Sequence, residues 1–595
     1  MDGFEKPKKA CDFCRRKKIR CNRELPRCQN CLVYNEACHY SKRLKRYSLK
    51  MKNDAQAKSR LPSLESEDSP NCDIVASSES KDNYSLHVRL RNVEDKLDRL
   101  LSLVEDSYKP PSRFRARDFP SLISQIRDAS SLVDNKLQEY SKLFKLTPAE
   151  TNIDDLFAHS FPSWDEDFPD MPEREWAVAR IQWYFRYINC WWPIFYEDDF
   201  MAELHKLYED PNQTKGVWLV SFYAILAVAI SRSKMEDDQK LAESFFCASW
   251  YLIQKPGFFL IPQVEKIQAL VIMIQFTAHL SLFTLCKALC GQVCLMIRDL
   301  NLHRASSTLK LPKRTAELYR RIFWVCYVLE ITTSLVFGTP SVLSDMEIDC
   351  GYPDITKEPL YPNIYHGNII FIAEISLTIL KNEIRSQLYS SSTPSVEGKR
   401  LKVIWSIFEK MQNWQTSLPL EIQSYFESLK RNENIFFTLN SDDQRLFSAS
   451  IEIYLSYCNT VIFLQRLNDT EEGSAICLDT ARKAVDVLKN FFVVLDPISK
   501  NVCYLWIFLY NPFTPFITLF SNTVSGKENN PDQLLEDLNR MYAVFKFFLK
   551  MRDLNGQLAE KLASVTENFI HAAEHYIALQ PAFTADAFEL TNFLI

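Results

Sequence analysis

Six cysteines near the start of the chain carry its clearest chemistry. Cys11-x2-Cys14-x6-Cys21 is followed six residues later by Cys28-x2-Cys31-x6-Cys38, one three-cysteine unit written twice. Thiolates are soft donors that bind zinc tetrahedrally. Two such ions need eight ligand positions, and six thiolates fill them only if two sulfurs bridge, so the count implies a binuclear cluster of two zinc ions per chain. The excess negative charge of such a cluster would be offset by Lys8, Lys9, Arg15, Arg16, Lys17, Lys18 and Arg20, which also favour deprotonated sulfur. So short a module has too little apolar surface for a core of its own, and metal must hold it together. A redox pair, or cysteines with no joint role, would not repeat one spacing inside a basic run.

The elements around this module separate by composition. Residues 1–60 hold 18 Lys and Arg against 6 Asp and Glu, which is +12, and the rest of the 595-residue chain is −17. A basic head on a large acidic body suits a nucleic-acid-binding module joined to a protein-interaction body. Four segments are expected: the cysteine module over 1–40, a basic and polar flexible linker over 41–82, a coiled-coil dimerisation helix over 83–106, and an all-α body over 114–595. Lys42, Arg43, Lys45 and Arg46 in the linker read as phosphate contacts, a nuclear import signal, or both.

In the third segment Leu90, Leu97 and Val104 occupy a positions and Leu86, Val93 and Leu100 occupy d, giving three heptads of apolar seam. The competing assignment is a single helix packed on its own body. Further on, Leu318, Ile322, Val325 and Leu329 recur at helical spacing, as do Leu562, Val565, Phe569, Ala573 and Tyr576. A loop is expected near Ser390–Gly398. The fold class is mainly α.

Glycine excludes much else. There are 11, none lies between Gly3 and Gly216, and none pair closely enough for a dinucleotide loop, a phosphate loop or a nucleophile elbow. No nucleophile and base stand together, so an enzyme is not expected and an enzyme fused to a zinc module is the minor alternative. The start of the chain has no apolar signal core, and the cysteines are read as intracellular and reduced. The uncharged stretch from Ile267 to Cys286 carries Gln268, Gln275 and His279 on one helical face, so a buried amphipathic helix is expected there and no membrane span.

The run Ala10-Cys-Asp-Phe-Cys-Arg-Arg-Lys-Lys-Ile-Arg-Cys21, with Pro26-Arg-Cys28 and Cys31, resembles the DNA-binding domain of the fungal binuclear zinc-cluster transcription factors. The resemblance implies that Cys11 and Cys28 bridge the two zincs, that Cys14 and Cys21 complete one site, and that Cys31 and Cys38 complete the other. It places Lys17 and Lys18 at the bases of CGG-type half-sites in double-stranded DNA, where ammonium donors meet the N7 and O6 acceptors of guanine. Arg15, Arg20, Arg23 and Arg27 are better placed for phosphates. It also favours a homodimer through 83–106.

The body adds a second resemblance. Tyr184-Phe-x-Tyr-Ile-Asn-Cys-Trp-Trp-Pro-Ile-Phe195 and Phe200, then Ile297-Arg-Asp-Leu-Asn-Leu-His303, Glu317-x2-Arg320-Arg321-x2-Trp324, Gly338-Thr-Pro340 and Asp345-x3-Asp349, are similar to the fungal-specific transcription factor middle domain over roughly 170–420. Asn301 and Thr339 stand where that family usually has glycine and arginine. What both resemblances imply is a nuclear, dimeric, sequence-specific regulator of transcription. An activator is expected and a repressor with the same DNA domain is the alternative. A small-molecule inducer is admitted, though the sequence identifies none.

Within the body, Arg320 and Arg321 beside Glu317 and Asp345 are expected to be structural ion pairs. Cys286, Cys290 and Cys294 share a helical face and read as buried small residues rather than as a thiol sensor. His279 and His303 read as core or cap residues. At the end of the chain, Phe588, Glu589, Leu590 and Phe593 lie in an acidic and aromatic run, residues 580–595, whose composition is that of an activation segment received by a coactivator groove, with a corepressor as the partner under the alternative.

Overall fold

In this computed structural model the helix periods read from the sequence become buried faces. Ile322, Val325 and Leu329 are buried with Leu318 packed beside them, and Leu562, Phe569 and Ala573 are buried with Val565 and Tyr576 alongside. The structure describes residues 14, 17, 20–22, 28–33, 38, 121–136, 169–210, 216–231, 236–255, 257–280, 282–354, 365–390, 397–433, 435–492, 511–526 and 530–580. The chain divides into two compact units, Met1–Glu105 and Asp106–Ile595.

The first unit contributes a short helix, α1 (Gln29–Val33), beside the cysteines. Among its other described residues Cys14 and Lys17 are helical. The linker 41–82 and the heptad residues Leu86, Leu90, Val93, Leu97, Leu100 and Val104 lie outside the described residues.

The second unit is helical throughout, with no strand among the described residues. In order it has α2 (Leu122–Lys136), α3 (Arg174–Tyr184), α4 (Glu197–Glu209), α5 (Gly216–Ile230), α6 (Glu236–Ile253), α7 (Val264–His279), α8 (Phe283–Asp299) and α9 (Lys313–Phe337). There follow α10 (Tyr365–Leu388), α11 (Glu397–Ser417), α12 (Leu420–Lys430), α13 (Ser441–Gln465), α14 (Glu471–Phe492), α15 (Phe513–Ser525) and α16 (Pro531–Ala578). Helices α5, α6, α7 and α3 pack together, α8 and α9 extend that group, and α9 leads to α10, which packs on α11 and α13. The late helices α14, α15 and α16 pack on one another, and α2 returns against α15 and α9. One apolar core runs from Ile126 to Ile577.

The uncharged stretch 267–286 proves to be two helices rather than one. Helix α7 stops at His279 and α8 starts at Phe283, so neither half is long enough to span a bilayer. Helix α13 is long and apolar enough, but 89% of its apolar window is buried within this body, as a central core helix requires. The loop expected near Ser390–Gly398 falls between α10 and α11, with 391–396 outside the described residues.

Three helices in the body end in the same way. After α8 the Asn301 N–H donates to Arg298 O and the Leu302 N–H to Ile297 O, with Asn301 at φ 54°. After α9 the pair is Gly338 to Leu335 O and Thr339 to Ser334 O, with Gly338 at φ 65°, and after α12 it is Asn432 to Leu429 O and Glu433 to Ser428 O, with Asn432 at φ 57°. This closure needs a left-handed residue just past the helix, where glycine is easiest and asparagine next. Asn301 therefore meets the backbone demand that a glycine would meet there.

Candidate nucleic-acid interface

Cys14, Cys28 and Cys31 are fully buried, with Cys21 and Cys38 packed against them. Among the described residues of this unit they cover one another, and no other apolar residue is packed against them. The three sulfurs lie within 4.8 Å of one another, and Cys14 Sγ is 3.6 Å from Cys28 Sγ. Two thiolates on one tetrahedral zinc sit about 3.8 Å apart, the edge length set by arms of ~2.3 Å, so these residues fit the metal. Cys28 belongs to the second half of the duplication yet lies against Cys14 of the first. Its own N–H donates to Cys38 Sγ at 3.3 Å, a contact that would steady that sulfur if it held zinc.

The halves are also joined by polar side chains. Asn22 Oδ1 accepts the N–H of Gln29 at 3.0 Å, and Asn30 Nδ2 donates to Arg20 O at 2.7 Å. The sequence reading missed both, because neither asparagine is a ligand or a cation. Their one sequence signal is position: Asn22 follows the third cysteine and Asn30 lies between the fourth and fifth. Lys17 and Arg20 are exposed and free to meet a polyanion, while Cys11, Arg15, Lys18, Arg23 and Arg27 lie outside the described residues.

In the body the aromatic run beginning at Tyr184 is packing held by one polar residue. A π-turn over Phe185–Asn189 ends α3 and points Asn189 inward. Its Oδ1 accepts the N–H groups of Ile194 and Phe195, and its Nδ2 donates to Phe195 O at 3.1 Å, which closes the turn carrying the buried Trp191, Trp192 and Phe195. Gln268 of α7 donates to Ile194 O from the other side.

Glu317 takes both arginines, at 2.9 Å from Arg320 Nη2 and 2.8 Å from Arg321 Nε, and also accepts the Asp354 N–H. Asp345 does not join them. It accepts from Tyr327 Oη at 2.8 Å and Asn382 Nδ2 at 2.6 Å, so it anchors the loop after α9 to α10. The Thr339 carbonyl lies 3.5 Å from Arg385 Nη1. Glu330 is buried, which pushes its carboxyl above the usual range, and it accepts from Ser334, Ser341 and the Val342 N–H. Glu317, Asp345 and Glu330 each tie a loop to a helix, and no reacting centre is assembled among these groups.

Cys286, Cys290 and Cys294 are buried on α8, and Cys326 of α9 is buried as well, raised by burial and then by the nearby Cys290. The pair with Cys290 and burial raise Cys286, and burial raises Cys294 and Cys326, so these thiols stay protonated and behave as small apolar residues. His303 is buried and its backbone carbonyl accepts from Asp349 and Cys350. The side chain of His279, like the terminal residues Phe588, Glu589, Leu590 and Phe593, lies outside the described residues.

Comparison with known proteins agrees with both units. Residues 9–47 match the fungal Zn(2)-Cys(6) binuclear cluster domain, and residues 181–432 match the fungal specific transcription factor domain. An uncharacterized transcriptional regulatory protein of Schizosaccharomyces pombe is 60% identical over the full length of both chains. The chain belongs to the fungal zinc-cluster transcription regulators. Another transcriptional regulatory protein of the same yeast is 37% identical over 95% of this chain and 93% of its own. The activator of stress genes 1 of Saccharomyces cerevisiae is 21% identical over 86% of this chain and 61% of its own. This member of the family is accordingly a zinc-binding, DNA-binding regulator of transcription and not an enzyme. Its helical core continues past residue 432 through α13 to α16, so the matched segment is part of a larger packed body.

Proposed function

We propose that the chain is a nuclear, dimeric activator of RNA polymerase II transcription that reads CGG-type half-sites through a cluster of two zinc ions. The observation that carries this reading is the position of Cys28, whose sulfur is 3.6 Å from Cys14 of the other half while its N–H donates to Cys38. A residue between two ligand sets is where a bridging sulfur belongs, and the family resemblance gives Cys11 the matching role. Lys17 and Lys18 read guanine edges, and Arg15, Arg20, Arg23 and Arg27 hold the phosphates.

The heptad seam of Leu86, Leu90, Val93, Leu97, Leu100 and Val104 pairs two chains, and residues 580–595 with Phe588, Glu589, Leu590 and Phe593 engage a coactivator. The Saccharomyces cerevisiae relative is named as an activator, which supports activation over repression. Metal analysis of the purified chain should give two zincs, and selection from random duplexes should return paired CGG triplets. One zinc per chain, or a selected site lacking CGG, overturns the reading. Residues 580–595 fused to an unrelated DNA-binding domain should switch on a reporter, and a silent fusion returns that segment to structure.

A further inference from the structure

We propose that Asn22 and Asn30 are positioning residues that fix the DNA-reading half of the cluster against the other half, so that sequence preference depends on two side chains that need touch neither metal nor DNA. The inference rests on the DNA-reading role given above to the first half. Shared sulfurs alone join the halves through single Zn–S and S–C bonds, about which each half can pivot. The two asparagines remove that freedom. Asn22 lies directly after the ligand Cys21 and accepts the Gln29 N–H at 3.0 Å, and Asn30 of α1 donates back to Arg20 O at 2.7 Å.

The two bonds run in opposite directions between the segment 20–22 and the start of α1, a reciprocal clasp that holds a segment at both its ends. The Gln29 N–H is one of the first-turn donors that a helix cannot satisfy internally, so Asn22 supplies a partner that α1 needs anyway. Arg20, whose carbonyl is clasped, is exposed and three residues beyond the exposed Lys17, so the clasp sits at the end of the basic run that faces DNA. The duplication sharpens the point. In the first half the positions matching Gln29 and Asn30 are Asp12 and Phe13, and Phe13 has no side-chain donor, so the second half alone carries the donor for this bond.

The test uses the full chain and the duplex that the wild-type chain itself selects, so it does not depend on that site containing CGG. Asn30→Ala and Asn22→Ala are compared with wild type for zinc content, for affinity to the selected duplex and for affinity to a scrambled one at the same salt. Each loss of a neutral, partly exposed hydrogen bond should lower specific affinity roughly 2- to 10-fold. Zinc content and scrambled-duplex affinity should hold, since ligands and phosphate contacts are unchanged. The double variant should lose less than the product of the single losses, because one broken tie already frees the segment. Asn22→Asp, which keeps the acceptor, should retain preference. Unchanged discrimination in the double variant overturns the proposal, as does loss of zinc in parallel with affinity, which would make the asparagines part of the metal module's stability.

Discussion

The two units bury cysteines for opposite reasons. In the first, Cys14, Cys28 and Cys31 are covered by one another and by Cys21 and Cys38, within a segment rich in Lys and Arg. In the body, Cys286, Cys290, Cys294 and Cys326 are equally inaccessible but are surrounded by the apolar core. Burial in apolar surroundings disfavours thiolate, as the raised thiols of α8 and α9 illustrate, whereas cations and metal favour it. Low exposure therefore says nothing about a cysteine's work, and spacing with local charge says a great deal. The same contrast extends to stability: the body rests on packed side chains, and the module rests on its ligands.

The largest effect that would sharpen this contrast is expected from one atom changed in each unit. Cys28→Ser should abolish zinc loading and specific DNA binding, because a structural zinc site supplies most of the folding free energy of so small a module. Cys290→Ser should leave both intact and cost the body about 1–3 kcal/mol for burying a hydroxyl, read from denaturant unfolding. Loss of zinc in Cys290→Ser would break the comparison.

Next in size are changes to the body's packing and its buried charges. Phe323→Ala in α9 empties a fully buried site and should cost about 3–5 kcal/mol. Asp537 of α16 is fully buried and takes Arg482 at 2.7 Å and Arg540 at 3.0 Å. Asp537→Ala should cost about 3 kcal/mol, at the low end for a broken buried pair because both guanidiniums retain some water. DNA affinity per folded molecule should not change in either variant.

A smaller effect concerns pH. Burial pushes Cys458 up to about 12 and Cys477 up to about 11, from an ordinary value of 9.0. The folded body holds these protons more tightly than the unfolded chain, so their contribution is complete below about pH 9 and declines as pH rises above it. The melting temperature of the body should fall through that window, and a flat profile would place these thiols in contact with water. Smallest of all, Asn301→Gly should be neutral or stabilise by under about 1 kcal/mol, while Asn301→Val should cost about 1–2 kcal/mol at the left-handed position.

The sequence was most legible where one signal was periodic or duplicated. The helix faces at Leu318–Leu329 and Leu562–Tyr576 and the cysteine spacing are of this kind, since each repeat restates the same constraint. It was less legible where partners are distant or a turn decides. The break between α7 and α8 carries no proline or glycine to mark it, and Asp345 meets Tyr327 and Asn382 rather than the nearby arginines because the loop after α9 folds toward α10. Asn22 and Asn30 were invisible for a third reason, and Asn189 showed only as one letter of a longer run. A single amide that closes a turn has no pattern of its own and acquires a role only when the backbone it ties is in place.

The contrast between a metal-held module and a core-held body is tested most directly by removing zinc from the purified full-length chain. A chelator should eliminate preference for the selected duplex, and added zinc should restore it, while helical content and the body's melting temperature stay constant throughout. Undiminished sequence preference in the zinc-free chain, or melting of the body together with the module, would contradict the account.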